Sequence, residues 1–410
     1  MPACKNIDFS VLSVLLLFAE CEKMYTLVLK KGEEKRAFKH PWIYANEVKE
    51  ITGKDEQGSI AKVLTAEGKL VGYGYINHAS KIIVRILSRK EESFDRDFYK
   101  KRIVAARDAR LSLGYEDNYR AVFAENDDLP GLIVDKYADH LSVQFLSLGM
   151  ERRKKMIVDI LREVYHPVCI YERSDSPVRE KEGLKQTKGV LYGALSPDLT
   201  IIENGIKLHI DLENGQKTGY FLDQKENRAA IRRYAKEKKV LDCFCNQGGF
   251  SLNAALGGAK EVIAADISET ALESVCKNAI ANGFTNIQTL KADVFALLRE
   301  YHKAGTAFDM IVLDPPAFTK STDTVKEGYK GYVDINTLAM KLLAPGGVLV
   351  TCSCSQHLTL PLFLRMIAEA SDRANVRVKL SELRVQSPDH ASILSMDETL
   401  YLKVAILTVL

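Results

Sequence analysis

Two cysteines, Cys352 and Cys354, stand one residue apart in the stretch VTCSCSQ, just after a Pro-Gly-Gly turn and an apolar run. A thiolate can add to an electron-poor carbon, hold a metal or close a disulfide, so the neighbouring chemistry matters. A second chemical group, Asp314-Pro315-Pro316, follows the apolar run FDMIVL. Prolines cannot continue a central strand, so this carboxylate is held at a strand end. Three more acids, Asp242, Asp266 and Asp293, each close a short apolar run, and Gly248-Gly249 follows the first of them. Glycines there let the backbone approach a ligand, and the helix they open offers unpaired N–H groups.

The elements that must position these groups alternate in type. From about residue 225 onward, apolar strand-like runs alternate with helical patterns and end in YLKVAILTVL. Such alternation predicts a parallel sheet with helices on both faces, whose ligands bind at the carboxyl ends of the strands. The first loop, DCFCNQGGFS, lacks a G-x-G-x-x-G fingerprint and has Phe244 and Asn246 where glycine would be usual. Asp266 lies 24 residues beyond Asp242, where an acid can accept both hydroxyls of a ribose. Asp293 is placed to take an adenine amine. Three acids in this register, without a P-loop lysine, suit a neutral-to-cationic nucleoside; S-adenosyl-L-methionine is the cofactor they imply. Each acid also has a plainer use as a helix cap. Ser268 caps the next helix, whose buried face is read as Leu272, Val275, Cys276, Ala279 and Ile280, and Gly283 ends it. Strand alternation puts Cys352 and Cys354 on one face and does not choose between them.

The rest of the 410 residues divides further. No run reaches the roughly 18 to 20 apolar residues of a membrane span. Phe9 to Ala19 has the length of a signal-peptide core but no cleavage site follows; the reading adopted is a start at Met24, with residues 1–23 left out of the fold. Eight scattered cysteines argue against a disulfide scaffold and suit a reducing cytoplasm, and C-x-C spacing gives no metal site. Residues 24–104 carry 17 Lys+Arg against 11 Asp+Glu, a net +6 within a chain of +3. Short alternating runs over 24–97 predict a small β-barrel. There Lys35 and Arg36 precede Trp42, the only tryptophan. Basic residues beside an aromatic can track a nucleic-acid backbone, or Trp42 can simply pack the core. Residues 98–205 read as a mixed α/β region without catalytic signals. Two Asn-Gly pairs over 201–222 signal a hairpin leading into the last part, 206–410.

Residues 24–410 resemble the RlmI-type family of ribosomal RNA (cytosine-carbon-5) methyltransferases. The matching stretches include KRAFKHPWIYANEV, DLPGLIVDKYADHLSVQ, LENGQKTGYFLDQKENR, LDCFCNQGGFS, DPPAFTKS, GYKGYVDIN, APGGVLVTCSCS and YLK. The resemblance implies an α/β multidomain chain: a PUA-like RNA-binding β-barrel, a central α/β domain and a Rossmann-like methyltransferase domain. It places Gln224 over S-adenosylmethionine, with Phe221 and Arg228 nearby, and makes a homodimer reasonable. Its partner would be RNA of the large ribosomal subunit.

Carbon 5 of cytosine is a poor nucleophile until a thiolate adds to carbon 6. Register with the wider RNA 5-methylcytosine family assigns that thiolate to Cys354, the seventh residue after Gly347. Asp314 would stabilise charge on the ring during addition. Ala317 stands where many such enzymes carry a second cysteine, so product release must take another route. Phe318, Lys320, Tyr329 and Lys330 are candidates to stack on the base or contact phosphate, against a plain helix start. Two other readings stay open: methylation of a base nitrogen on the same fold, and an RNA-binding assembly factor without catalysis.

Overall fold

The computed structural model describes residues 25–53, 58–319 and 324–410. The proposed N-terminal extension and Lys320 lie outside the described residues. The chain forms two compact units. One runs to Gly114 and resumes over Ala121–Leu195; the other holds Tyr115–Arg120 and Ser196–Leu410.

In the first unit, β1 (Tyr25–Leu29), β2 (Trp42–Tyr44), β3 (Val48–Thr52), β4 (Ile60–Leu64), β5 (Leu70–Ile76) and β6 (Ile82–Ser88) form one sheet, ordered β2-β6-β5-β4-β1-β3. Every second side chain turns inward, so Leu27, Leu29, Ile43, Val63 and Val84 make its core. The AEGKL turn joins β4 to β5 through Gly68, at φ 82°. A second sheet adds β7 (Asn118–Phe123, of which Ala121–Phe123 belong to this unit), β8 (Leu132–Tyr137), β9 (His140–Phe145), β10 (Cys169–Ser174) and β11 (Thr187–Gly193), ordered β11-β10-β9-β8-β7. The helices Arg96–Ser112 and Lys154–Tyr165 belong to this unit, as their apolar spacing predicts.

The second unit opens with a hairpin, β12 (Thr200–Glu203) and β13 (Ile206–His209), turned by Asn204 and Gly205 at positive φ. The second Asn-Gly makes no hairpin. The Asp211 carboxylate accepts the Glu213 and Asn214 amides and closes a local turn there instead. Then come β14 (Lys239–Cys243), β15 (Glu261–Asp266), β16 (Ile287–Lys291), β17 (Phe308–Leu313), β18 (Leu343–Ser353), β19 (Val378–Arg384) and β20 (Lys403–Val409). Their order is β16-β15-β14-β17-β18-β20-β19.

The expectation of an all-parallel sheet needs correcting. β14 to β18 are parallel, but β20 inserts antiparallel between β18 and β19. β19 and β20 are joined by chain that holds only two short 3-10 turns, Pro388–His390 and Asp397–Thr399, which allows the reversal without a crossover α-helix.

Alternation divides this sheet cleanly. Leu241, Cys243, Ile311, Leu313 and Leu349 pack against the helices Val325–Lys341 and Leu360–Ala374. Val240, Val312, Val350 and Cys352 face Ala230, Ile231, Phe250 and Ala254 on the other side. The period of two therefore carries Asp242, Asp314, Cys352 and Cys354 toward the same face.

The helix Glu269–Ala281 corrects a second expectation. Leu272, Val275, Asn278 and Ala279 are buried, whereas Cys276 is exposed and Ile280 is 79% exposed. Asn278 completes the stripe because its amide bonds the His209 N–H and the Gln247 carbonyl. At about 100° per residue, that choice rotates positions 276 and 280 outward. Ser268 caps this helix at the Ala271 amide, and Gly283 terminates it at φ 71°.

Candidate functional site

The site is built at the carboxyl ends of β14, β15, β17 and β18. Asp242, on the last turn of β14, is wholly buried. Its Oδ2 accepts a 2.6 Å hydrogen bond from the Ser251 hydroxyl, while Oδ1 has no partner among the described residues. Burial pushes the Asp242 carboxyl up to about 7, against the Ser251 hydrogen bond and with repulsion from Asp314 and Asp266. The loop beyond it turns left-handed at Phe244 (φ 60°), Asn246 (φ 48°) and Gly248 (φ 83°). Two positions that usually need glycine are thus held by larger residues in the strained region. Gly248 is required, because a Cβ there would meet Val275 at 3.0 Å. Gly249 is equally constrained: its Cβ would strike Arg228 Cδ and the Tyr220 hydroxyl, both at 2.6 Å.

Asp266 ends β15 half-buried. Its two oxygens accept the Asn246 amide at 3.0 Å and the Ser268 amide at 2.9 Å, which fixes the carboxylate against the first loop. Asp293 is exposed, and its Oδ1 caps the helix Val294–Lys303 at the Ala296 amide, 2.8 Å.

Asp314 follows β17 and draws partners from far away in sequence. Gln224 Nε2 donates to its Oδ1 at 3.2 Å, and Gln224 Oε1 in turn accepts from Asn227. Burial raises the Asp314 carboxyl to about 7; Asp223 adds to the rise, and Arg228, Gln224 and Lys217 oppose it. Asp223 itself is buried and takes the Tyr401 hydroxyl at 2.7 Å. Burial favours its neutral form, but Lys217, His390 and Tyr401 together hold it below the ordinary carboxylate range.

The two cysteines separate here. β18 pairs with β17 so that Leu313 opposes Thr351, which sets Asp314 level with Cys352 at the rim. Cys352 is 0% exposed inside the apolar layer. β18 stops at Ser353, and Cys354 stands just beyond it, half-buried. Both flanking serines are tied down: Ser353 donates to the Tyr332 hydroxyl at 3.2 Å, and Ser355 to the Thr319 carbonyl at 3.0 Å. Burial pushes the Cys354 thiol up, with Asp314 and Asp223 adding and Lys217 opposing. Cys352 is driven well up by burial, chiefly, and by Asp314.

Residues 189–394 match the model of the S-adenosylmethionine-dependent methyltransferases, and residues 27–89 that of a PUA-like domain. A ribosomal RNA large subunit methyltransferase I from Aeromonas hydrophila is 42% identical over 387 residues, covering 92% of this chain and 98% of that protein. The chain belongs to the ribosomal RNA large subunit methyltransferase I family. The same name is carried by a Vibrio cholerae relative, 42% identical over 386 residues with 92% and 97% coverage. A Streptococcus mutans structure assigned as a SAM-dependent methyltransferase shares the fold, with TM-score 0.80, 22% identity, and 94% and 100% coverage. So does a structure assigned as a methyltransferase and solved with S-adenosylhomocysteine, with TM-score 0.82 and 21% identity.

Members of this family are S-adenosylmethionine-dependent methyltransferases, and the donor set here fits that cofactor. Asp242 Oδ1 is an unpaired buried acceptor, Asp266 is anchored at the next strand end, and Ile267 beside it is 69% exposed. An exposed apolar side chain next to a fixed carboxylate suits the flat face of a nucleobase. Ile267 was not singled out in sequence, and neither were Ser251 or Asp223. Nothing in their neighbourhood marks them; Lys403, a lone cation within the apolar run YLKVAILTVL, did carry a signal. Arg228, near Gln224 in sequence, makes a buried two-pronged pair with Glu203, both contacts at 2.7 Å.

The candidate RNA contacts are variously engaged. Lys35 is exposed, but Arg36 pairs with Glu47 at 2.5 Å and donates to the Trp42 carbonyl. The Trp42 indole donates to Glu125 at 2.7 Å, with the Arg85 guanidinium over its ring. Phe318 lies among Phe244, Phe295 and Tyr332, Tyr329 donates to Glu369 at 2.9 Å, and Lys330 is exposed.

The raised Asp242 carboxyl gives a pH prediction. Its folded value lies above an unfolded value near ~4, so the native state binds a proton that the unfolded chain has released. That contribution is fully present below ~4 and is lost as pH rises toward about 7. Asp242→Asn should therefore melt with less pH dependence between pH 5 and 8 than wild type, while its calorimetric affinity for S-adenosylmethionine falls. An unchanged slope would show that Asp242 titrates normally.

Proposed function

We propose that this enzyme methylates carbon 5 of a cytosine in large-subunit ribosomal RNA, in the cytoplasm, through a covalent adduct on Cys354. The observation that carries the reading is the placement of one half-buried thiol, past the end of β18, beside an Asp314 carboxyl raised to about 7. Its twin Cys352 is sealed in the layer below.

Asp242, Asp266 and the Phe244–Gly248 loop would hold S-adenosylmethionine, which would supply an electrophilic methyl group and leave as the neutral thioether S-adenosylhomocysteine. The Cys354 thiolate adds to carbon 6, and the electrons of the 5,6 double bond move onto carbon 5 as an enamine. Asp314, partly protonated near neutral pH, donates to the ring nitrogen as that charge develops. Carbon 5 then takes the methyl group. Loss of the carbon-5 proton and expulsion of the Cys354 sulfur restore the double bond and the thiolate. The base must leave its stack for carbon 6 to be reached. The names of the 42%-identical relatives support ribosomal RNA as substrate, and the PUA-like module suits an RNA partner.

RNA carrying 5-fluorocytosine tests the reading directly, since fluorine at carbon 5 cannot leave as a proton. Wild-type enzyme should form an adduct stable to denaturing gels, with the cross-link on Cys354 by mass spectrometry. Mapping 5-methylcytosine in a deletion strain should show loss at one large-subunit position. Normal methylation of the RNA without any trapped adduct would favour transfer to a base nitrogen, which the Asp314-Pro315-Pro316 loop also supports.

A further inference from the structure

Lys403 is buried at 3% exposure, on β20, where it stands opposite Ser353 in the antiparallel register. Its neighbours Leu402 and Val404 join one apolar layer and Ala405 the other, so Lys403 reaches the end of β18 from the face of Tyr332. A cation in a central strand costs several kcal/mol in order of magnitude unless its protons are used. Here Nζ donates to the Ser355 carbonyl at 2.6 Å and the Tyr401 carbonyl at 2.8 Å. Those two bonds bind the turn that carries Cys354 to the strand beyond it. The covalent chemistry proposed for Cys354 uses no such group.

We propose that Lys403 is a positioning residue for Cys354: it fixes the turn after β18 and holds a positive charge against the thiolate formed there. The inference rests on Cys354 being the nucleophile. The groups facing Cys354 are Asp314 beyond β17, Asp223 before the helix Lys225–Ala230, Lys217, Tyr332, Cys352 and Lys403. The two carboxylates and burial oppose thiolate formation and Lys217 favours it, while the Cys354 thiolate in turn favours the charged form of Lys403. Burial brings the Lys403 ammonium down to about 8, while the Cys354 thiolate acts to raise it.

The test compares Lys403→Gln with Lys403→Arg in the full chain, since both can donate to the two carbonyls and only arginine keeps the charge. The readout is the pH midpoint of Cys354 alkylation, resolved from Cys352 by fragment mass spectrometry, together with the pH profile of single-turnover methylation. Lys403→Gln should move both midpoints up by about one pH unit, as loss of an adjacent opposite charge does, and Lys403→Arg should stay near wild type. A folded Gln variant with unmoved midpoints overturns the proposal. Where neither variant folds, the reciprocal measurement serves: the Lys403 ammonium, followed by NMR, should titrate lower in Cys354→Ala than in wild type, and an unmoved value overturns it. Failure of wild type to trap 5-fluorocytosine RNA is a different result, and removes the reading of Cys354 itself.

Discussion

Cys354→Ala should lose methyl transfer by at least about 10³-fold and form no adduct with 5-fluorocytosine RNA, while still binding S-adenosylmethionine. The expectation follows from the absence of a substitute. Within the sheet, the other thiol at this strand end is Cys352, and it is wholly buried with its ionisation strongly opposed. Cys352→Ala should retain activity within about threefold and cost on the order of 1 kcal/mol of stability, from the small cavity left in the apolar layer. Measuring initial rates, cofactor affinity and denaturant midpoints on both variants separates the roles. Full activity in Cys354→Ala would sink the covalent mechanism and leave Asp314 as the centre of a base-nitrogen methyltransferase. Full loss in Cys352→Ala with unchanged stability would mean that the nucleophile had been assigned to the wrong sulfur.

Arg228→Met should be the most destabilising single change near the site, by roughly 3–5 kcal/mol. Glu203 is 1% exposed and depends on both prongs of the Arg228 guanidinium. Removing the arginine leaves a buried carboxylate without its paired charge, with the Tyr220 hydroxyl at 3.4 Å and the more distant Arg232 near it. The damage should also reach the cofactor loop, because Arg228 and Tyr220 lie directly against Gly249. The double variant Arg228→Met/Glu203→Leu removes both charges and should recover much of the loss. Urea unfolding of the three proteins makes the comparison. A single variant within 1 kcal/mol of wild type would show that the pair contributes little, as exposed pairs do.

Much of this site was legible without coordinates, and the reason is local. The strands β14, β15 and β17 end where an apolar run meets an acid, followed at β14 by a glycine pair and at β17 by a proline pair, and such boundaries depend on nearby residues. The caps at Ser268 and Asp293 and the turn at Asn204-Gly205 are legible for the same reason. The second Asn-Gly misled because Asp211 had already claimed the turn amides. Cys276 misled because apolar residues alone set the helix phase in the reading. The actual phase depends on Asn278, whose two partners come from 69 and 31 residues away.

By itself, then, the sequence determined that Asp242, Asp266 and Asp314 lie at strand ends and that Cys352 and Cys354 share a face. It also determined the family, since the relatives match along 92% of the chain. Only the tertiary structure decided which groups surround the thiol. Gln224 reaches Asp314 across 90 residues, Tyr401 reaches Asp223 across 178, and Lys403 comes beside the Cys354 turn because β20 runs antiparallel to β18. A strand's own pattern records its buried faces but not its neighbour or direction. Strand partners are chosen by the packing of the whole sheet, and with them the charges that set the chemistry of Cys354.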